Sequence, residues 1–298
     1  MKDAPNTYTI SKAIGEDIVA KAMDSLPAVI MRPTIVISMW KDPIPGWTDN
    51  INGPAGSIIA FGTGVLRSIY ARKDMNADFV CVDVVADNVL VLGAYSVQNQ
   101  IPNKVFNISS HNQITVTWKQ CQELSIKLNK ERIPFDIFLW VPSGMTRNSR
   151  LMHYIDVLLW QYIPALIIDM FLPLFGYKPM LWQVQLRVMK AMSVLEFYYN
   201  NEWTFLNDAS VKATAWLNAK ELGKYTLSQS EIVPEEFMTN QIFGLRRYIL
   251  KEPDENIPKS RRLMSIMIWV DRIGSIILKL ILAYLFYRFV ISKMCNLL

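Results

Sequence analysis

The sequence predicts an α/β protein whose chain becomes mostly helical beyond about residue 142 and carries a transmembrane helix near its end. Short β-branched runs alternate with helical patterns in the first part, as in a parallel α/β sheet. Apolar residues recur at helical spacing in the second part. An apolar run over residues 273–291 comes close to the ~20 residues that a membrane-spanning helix needs. We therefore divide the chain into residues 1–141, 142–265 and 266–298.

The first part alternates helix and strand in chain order. Residues 7–23 mix apolar side chains at helical spacing with charges and predict a helix, whereas the β-branched residues 28–39 predict a buried strand. Gly, Pro, Asn and Asp are frequent in residues 40–64, so we predict mostly loop there. Short strands are then predicted at residues 79–82 and 104–108, and helices at residues 83–95, with Asp83 near the start, and 115–129.

The second part contains one regular helical pattern and one ambiguous apolar stretch. Residues 180–199 have a good helical period, and the chain from there to about residue 251 is predicted as helices joined by loops. Residues 151–175 are apolar but include Asp156, Gln161, Pro164, Asp169 and Pro173. Three interpretations stay open for this stretch: a helix dipping into one leaflet, a helix lining an apolar tunnel, and a helix buried under the domain.

Charge and cysteine content exclude several classes of protein. The net charge is +5, and many basic residues lie near the C-terminal apolar run, which favours a membrane surface over nucleic acid. The three cysteines, Cys81, Cys121 and Cys295, are far apart and odd in number, so we predict no disulfide and a reducing compartment. With His111 and His153 they form no familiar metal-ligand spacing, and residues 1–10 show no signal-peptide pattern.

The run at residues 273–291 is predicted to anchor the protein in a membrane. Lys279 costs roughly 2.5–3.5 kcal/mol near mid-membrane, and the surrounding Leu, Ile and Phe residues offset much of that. Arg288 is close enough to the end to extend to the membrane surface. Because positive charge lies mainly before the run, we expect a tail anchor with the main body in the cytosol.

A possible catalytic pair stands at Tyr8 and Lys12, in the pattern Tyr-x-x-x-Lys. Residues four apart share one face of a helix, so the phenol and the ammonium lie side by side. A free tyrosine has a pKa near 10, and a nearby cation favours the phenolate and lowers that pKa. Such a tyrosine can give a proton to a carbonyl oxygen as hydride arrives at its carbon.

The motifs around this pair resemble one enzyme family. Residues 8–16 (YTISKAIGE) resemble the catalytic helix of the extended short-chain dehydrogenase/reductases, and a strand with Arg32-Pro33-Thr34 follows at the distance seen in that superfamily. Residues 40–54 (WKDPIPGWTDNINGP) strongly resemble the fatty acyl-CoA reductase family. Residues 62–67 and 77–85 continue the resemblance, although Cys81 stands where the family usually has proline.

The resemblance extends into the helical part. Residues 196–198 (EFY), 202–205 (EWTF) and 244–252 (GLRRYILKE) are similar to the C-terminal male sterility domain of that family. A terminal hydrophobic anchor is also frequent in it. The resemblance thus covers nearly the whole chain in order and implies the C-terminal part of a Rossmann-like NAD(P)-binding domain, with an incomplete parallel sheet, followed by a helical domain.

The resemblance implies that the enzyme reduces a long-chain acyl-CoA to a fatty alcohol with two NADPH. Tyr8 would polarise the thioester carbonyl and protonate the developing oxyanion, and Lys12 would bind the nicotinamide ribose. The turn Arg32-Pro33-Thr34 would lie beside the nicotinamide. Tyr8, Lys12, Arg32, Pro33 and Thr34 are therefore the expected cofactor-binding residues. A tail anchor in the endoplasmic reticulum or in peroxisomes is the expected location.

One part of the family pattern has no counterpart in the sequence. The Gly-rich dinucleotide fingerprint should precede Tyr8, and Gly62-x-Gly64 does not replace it because no βαβ unit frames it. We therefore expect the sequence to be a piece of a longer reductase, with poor dinucleotide affinity by itself. The alternative is an inactive membrane-bound remnant that binds lipid or a reductase partner. A hydrolase is disfavoured because Ser57 and Ser143 lie in no G-x-S-x-G motif.

Overall fold

The computed structural model describes residues 5–101, 105–217, 221 and 223–288. The strands are β1 (Ile30–Pro33), β2 (Ile35–Ile37), β3 (Ser68–Tyr70), β4 (Phe79–Cys81), β5 (Val105–Ile108) and β6 (Met145–Arg147). The helices are α1 (Thr7–Ala22), α2 (Pro54–Gly62), α3 (Val82–Gln98), α4 (Trp118–Glu131), α5 (Arg150–Val157), α6 (Ile163–Phe171), α7 (Leu181–Asn200), α8 (Asp208–Trp216), α9 (Pro234–Gly244) and α10 (Ile257–Phe286). The order confirms the α/β class: strands alternate with helices as far as β6, and among the described residues only helices follow it.

The described strands pair in parallel, two by two: β1 with β5, β2 with β4, and β3 with β6. The single buried strand predicted at residues 28–39 is therefore wrong in detail. It is divided at Thr34 into β1 and β2, and Arg32 and Pro33 are exposed. Pro33 has no N–H to give to a strand ladder, which favours a break at this position. Lys104, which began the predicted strand at β5, lies outside the described residues.

The second correction concerns the predicted loop at residues 40–64, because its last third is the buried helix α2. Pro54 stands in the first turn, where a missing N–H costs nothing. The following apolar residues, including Ile58 and Phe61, are buried. Gly62 ends the helix against Asn129 and Phe135, where there is no room for a larger side chain. The Gly- and Pro-rich composition of the preceding residues is the reason why the sequence predicts a loop here.

The hydrophobic core consists of three clusters, and each joins residues from both sides of position 142. The first combines Val80, Leu92 and Phe106 with Ala213 and Leu217. The second cluster packs Ile242 and Leu245 against Leu128 and Phe135. The third packs Tyr199 against Phe61 and Trp118. The helices that follow residue 142 are therefore packed directly on the α/β part.

The apolar stretch at residues 151–175 forms an almost unbroken helix. A wider π-helical turn, Leu158–Tyr162, joins α5 to α6. Pro164 explains that turn, since its ring removes the N–H that would bond the carbonyl four residues back. By length and composition, Arg150–Phe175 is the one stretch of the described chain suited to cross a membrane.

The predicted C-terminal transmembrane helix stays a prediction. Its first residues form the last part of α10, whose apolar side chains are exposed from Ile273 to Phe286. Residues 289–291 of the predicted span lie outside the described part of the chain.

A buried cation joins the two parts of the chain. Arg246 is fully buried, and its Nη2 donates to Asp136 Oδ1 at 2.8 Å while Nη1 lies 3.0 Å from Glu252 Oε2. Burial raises the pKa of Asp136, but hydrogen bonds from Arg246, Asn256 and Ser260 outweigh burial and hold that pKa below its usual value. Asp136 therefore contributes stability that is present at neutral pH and is lost as the pH falls through the lowered pKa.

We expect Arg246→Ala to lower the free energy of unfolding by about 3–5 kcal/mol, because it leaves two acids without their buried partner. Urea unfolding followed by circular dichroism measures this change. Arg247→Ala is the matched control, since Arg247 pairs with Asp254 at the surface and its removal should cost about 0–1 kcal/mol. Equal losses in the two variants would contradict a structural role for the buried pair.

Candidate active site

Tyr8 and Lys12 lie side by side on the first turns of α1, as their spacing predicts. The Asn6 side chain accepts a hydrogen bond from the Thr9 N–H at 3.0 Å and so starts the helix just before Tyr8. The ammonium of Lys12 is 5.9 Å from the centre of the Tyr8 ring. Tyr8 is 64 % exposed, and no residue of α1 is buried. The pair therefore sits on an open face of the described structure.

Two side-chain contacts attach α1 to the rest of the protein. Glu16 forms a bidentate ion pair with Arg32, in which Arg32 Nε donates to Glu16 Oε2 at 3.0 Å. The hydrogen bond from Arg32 holds the pKa of Glu16 below its usual value. Asn6 donates from Nδ2 to the Tyr198 hydroxyl at 3.5 Å. Arg32, an expected cofactor-binding residue, is thus engaged in holding the helix that carries Tyr8.

The turn after β1 is organised by Asp78. Asp78 Oδ1 accepts hydrogen bonds from Thr34 Oγ1 at 3.0 Å and from both the N–H and the hydroxyl of Ser110 at 2.8 Å. Asp78 Oδ2 accepts from Ser109 Oγ at 2.7 Å. One carboxylate therefore fixes Thr34 relative to the residues that follow β5, where the cavity described next begins.

An apolar cavity lies between the α/β part and the helical part. Its empty volume, including the open mouth, is about 1000 Å³. Most of its wall is apolar and comes from α2, α4, α9 and the strands β2 and β4; Ile37, Phe61, Phe79, Ile114, Trp118 and Phe237 are among the lining residues. Ser110 also lines it, so the cavity reaches the hydrogen-bond group of Asp78 and Thr34.

Aromatic residues build one wall of this cavity. Tyr199 shares a hydrogen bond with Ser57 at 2.9 Å between their hydroxyl oxygens, and burial raises the pKa of Tyr199 to about 12. Trp118 packs edge-on against Tyr199 and against Phe79, with ring centres 4.6 and 5.3 Å apart. Cys121 lines the cavity as well, and burial raises the pKa of its thiol to about 12. This wall is hydrophobic and stays uncharged at neutral pH.

The loop between β2 and α2 is held at its start and near its middle. Asp83, at the start of α3, accepts hydrogen bonds from the backbone N–H groups of Trp40 at 3.1 Å and Lys41 at 2.8 Å. Further along, Gly46 has a φ of +78°, and its backbone approaches Asn240 and Gly244 of α9 so closely that neither glycine has room for a Cβ. The loop thus docks onto α9 beside the cavity.

The structure brings together some of the predicted residues and adds others. Tyr8 and Lys12 are neighbours, while Arg32 and Thr34 make separate contacts at the turn after β1. Asp78 and Tyr199, which sequence reasoning missed, are contributed by a loop and by a helix end. Nothing local marks either of them, because their partners are distant in sequence.

Both histidines contact serine side chains. His153 Nδ1 is 2.9 Å from Ser68 Oγ, and the N–H of His111 donates to Ser109 Oγ at 2.9 Å. Within residues 5–101, 105–217, 221 and 223–288, no three His, Cys, Asp or Glu side chains lie together as metal ligands would.

Two family models match the chain. Residues 1–89 match an NAD-binding model described as male sterility protein, and residues 160–252 match a second model with the same description. The first match contains α1 and the turn at Thr34, and the second contains Tyr199 and Arg246.

Individual relatives give the same result. The chain is 32 % identical to fatty acyl-CoA reductase 2 of Mus musculus over 262 residues, which cover 87 % of the chain and 50 % of that protein. It is 33 % identical to fatty acyl-CoA reductase 2 of Homo sapiens over 268 residues, covering 88 % and 51 %. For fatty acyl-CoA reductase 1 of Xenopus laevis the identity is 31 % over 261 residues, covering 87 % and 50 %. The chain spans about half the length of these relatives.

We expect Asp78→Ala to lower the free energy of unfolding by roughly 3 kcal/mol, because Thr34, Ser109 and Ser110 lose a common charged acceptor. Chemical unfolding measures the change. The control is Asp74→Ala at an exposed position of the same loop, where a change within about 0.5 kcal/mol is expected. If Asp78→Ala unfolds like the control, the carboxylate does not organise the turn.

Proposed function

The chain belongs to the fatty acyl-CoA reductase family, and from this premise we propose that the protein reduces a long-chain acyl-CoA to a fatty alcohol with NADPH. The observation that carries the proposal is the apolar cavity, whose lining residue Ser110 shares the Asp78 carboxylate with Thr34. A cavity of this size and character suits a long hydrocarbon chain, since ligand sites of about 300–1,000 Å³ are typically apolar with few polar groups.

The residues of α1 fit the nicotinamide end of the cofactor. Lys12 has no carboxylate within ion-pair distance among the described residues, so its ammonium is available to ribose hydroxyls. Tyr8 is open to solvent beside it and can meet a carbonyl oxygen. NADPH, when bound, supplies the hydride. The glycine-rich segment that would hold its phosphates is not among the residues of this sequence.

The proposed reaction runs in two reductions. In the first, Tyr8 donates a proton to the thioester oxygen as hydride reaches the carbon, and the resulting hemithioacetal breaks down to an aldehyde and the CoA thiol. In the second, hydride adds to the aldehyde and Tyr8 again protonates the oxygen, which gives the alcohol. The ammonium of Lys12 lies 5.9 Å from the centre of the Tyr8 ring, beside the phenol that acts in both steps.

The acyl chain of the substrate is proposed to lie in the cavity. Its apolar wall excludes water from the chain, and each buried methylene contributes about 0.8 kcal/mol. The thioester end would lie near Ser110, which is joined to Thr34 through Asp78. Arg32 supports this arrangement by holding Glu16 of α1.

A second candidate is a membrane-bound protein without catalysis that binds lipid or a reductase partner. The observation that favours it is the open face around Tyr8, since no residue of α1 is buried. It shares the apolar cavity with the first candidate. Alcohol formation that depends on Tyr8 separates the two.

We also propose that residues 273–291 anchor the protein in a membrane, with the main body in the cytosol, at the endoplasmic reticulum or at peroxisomes. The support is the exposed apolar surface of α10 from Ile273 onward. Resistance to extraction by alkaline carbonate should disappear when residues 273–298 are removed, because carbonate releases proteins that lack an inserted helix.

Tyr8→Phe should reduce alcohol formation in the full-length protein by about 10²–10⁴-fold, since it removes the proton donor and keeps the ring. The measurement is production of radiolabelled alcohol from a long-chain acyl-CoA and NADPH. Tyr177→Phe removes a hydroxyl from an equally exposed tyrosine and should leave the rate unchanged. Full alcohol production by Tyr8→Phe would exclude Tyr8 as the proton donor.

Ile114→Trp should shift the preference of the enzyme toward shorter acyl chains, because the larger side chain fills part of the cavity. Each methylene that no longer fits should lower kcat/KM by about fourfold. A series of acyl-CoA lengths measures the shift. Ile137→Trp introduces the same change at an exposed position outside the cavity, and an identical chain-length profile in both variants would exclude the cavity as the acyl site.

A further inference from the structure

The helix from Arg150 to Phe175 has its polar and apolar faces reversed relative to a helix of a soluble protein. The side chains turned toward the protein are mostly polar: His153, Asp156, Gln161 and Asp169 are all buried. The side chains turned outward are almost all apolar. Leu158, Leu159, Ile163, Leu166, Met170 and Phe171 are exposed examples of what we call the outer face.

Every buried polar side chain of this helix is bonded to the protein body. His153 Nδ1 meets Ser68 Oγ at 2.9 Å, and Gln161 Oε1 accepts from the Arg67 N–H at 2.6 Å. Asp156 forms an ion pair with Arg147 at 2.5 Å.

The last of the four, Asp169, accepts from the N–H groups of Met180, Leu181 and Trp182 at 2.8–3.0 Å. The orientation of the helix is therefore fixed by these bonds, and the outer face cannot turn inward without breaking them.

The outer face is a long strip of exposed apolar side chains, which soluble proteins rarely show. It runs the length of a helix of roughly 39 Å at 1.5 Å per residue. Only 22 % of the most apolar part of this helix is buried inside the protein, whereas a core helix would be mostly buried. Exposing these apolar side chains to water is unfavourable, so we expect another apolar surface or a lipid environment to cover the outer face.

From these observations we propose that the outer face lies in the surface layer of a lipid bilayer, with the helix parallel to the membrane plane. A helix that crossed the bilayer would take its bonded partners with it. Those partners include β3 and β6, a two-stranded sheet with free edges, which hydrocarbon does not tolerate. An in-plane helix keeps β3, β6 and the four polar side chains on the water side.

Neighbouring features support lipid as the occupant. Lys178 follows the helix closely, and Arg187 and Lys190 are exposed on α7, which packs against α6. Such exposed cations suit anionic headgroups. α10, which carries the other exposed apolar surface, is linked to the buried side of this helix, because its Asp271 interacts with Arg67, whose N–H donates to Gln161.

The test uses the full-length protein without residues 273–298, so that the proposed tail anchor does not contribute. The described residues of that segment are exposed, and their removal leaves the packing of the body intact. Flotation is measured with vesicles of phosphatidylcholine, with and without phosphatidylserine. We expect this protein to float, and more of it with the anionic lipid. Failure to float with either vesicle would overturn the proposal.

Paired substitutions then locate the contact. Leu159→Glu with Leu166→Glu places two charges on the outer face, at positions 47 % and 52 % exposed. The matched control is Leu90→Glu with Val97→Glu, two positions with the same spacing on α3 that are 63 % and 73 % exposed. We expect the first pair to weaken vesicle binding at least about tenfold and the second to leave it unchanged. Equal effects in both pairs, or none in the first, would reject the outer face.

Fluorophore depth separates an in-plane helix from a spanning one and does not depend on the charged variants folding. Single labels are placed by Leu151→Cys, Leu159→Cys, Leu166→Cys and Leu174→Cys, and quenched by lipids labelled at known depths. Equal, shallow depths at all four positions are expected. A steady change of depth along the helix would show that it spans the bilayer, against the proposal.

A second copy of the chain is another occupant that the same samples can reveal. Sedimentation velocity of the parent and of the Leu159→Glu, Leu166→Glu variant shows whether a dimer depends on the outer face. A dimer lost in the variant, together with unchanged vesicle binding, would assign the face to self-association and overturn the lipid proposal. A monomer in both, with reduced vesicle binding in the variant, is the expected result.

Discussion

The guanidinium of Arg246 is buried where the end of α9 meets the loop after α4, and its need for counter-charge determines much of the surrounding structure. Asp136 approaches it from one part of the chain and Glu252 from the other. A charge of this kind is tolerated in a protein interior only when partners surround it. These ion pairs hold α9 against α2 and α4, and α9 forms one wall of the apolar cavity.

The local chemistry of the candidate site could be predicted from the sequence. The i, i+4 spacing that joins Tyr8 to Lys12 is a property of any helix, and Asn6 marks the start of that helix as a side-chain cap. The cavity could not be predicted in this way. Its wall combines residues as distant as Ser57 and Tyr199, and their hydrogen bond spans 142 positions. Only tertiary packing brings such groups together.

Two errors in the predicted fold have separate physical causes. The pattern did not predict α2 because the residues before it are rich in Pro and Gly, and because its short apolar run has no clear helical period. The strand at residues 28–39 was predicted as one piece because its residues are β-branched throughout, yet Pro33 interrupts its pairing. For residues 151–175 the composition left three interpretations open, and the orientation of Asp156, Gln161 and Asp169 distinguishes a helix with a polar inner face from a buried one.

The close approach of Gly46 and Gly244 has a consequence for how this chain can change. At each glycine the obstacle to a side chain is the backbone of the opposite segment, and a backbone cannot be trimmed by a second substitution. A second substitution elsewhere therefore cannot relieve the steric clash at either position. Random mutagenesis followed by selection should return glycine at residues 46 and 244 even in libraries where the rest of the loop varies freely.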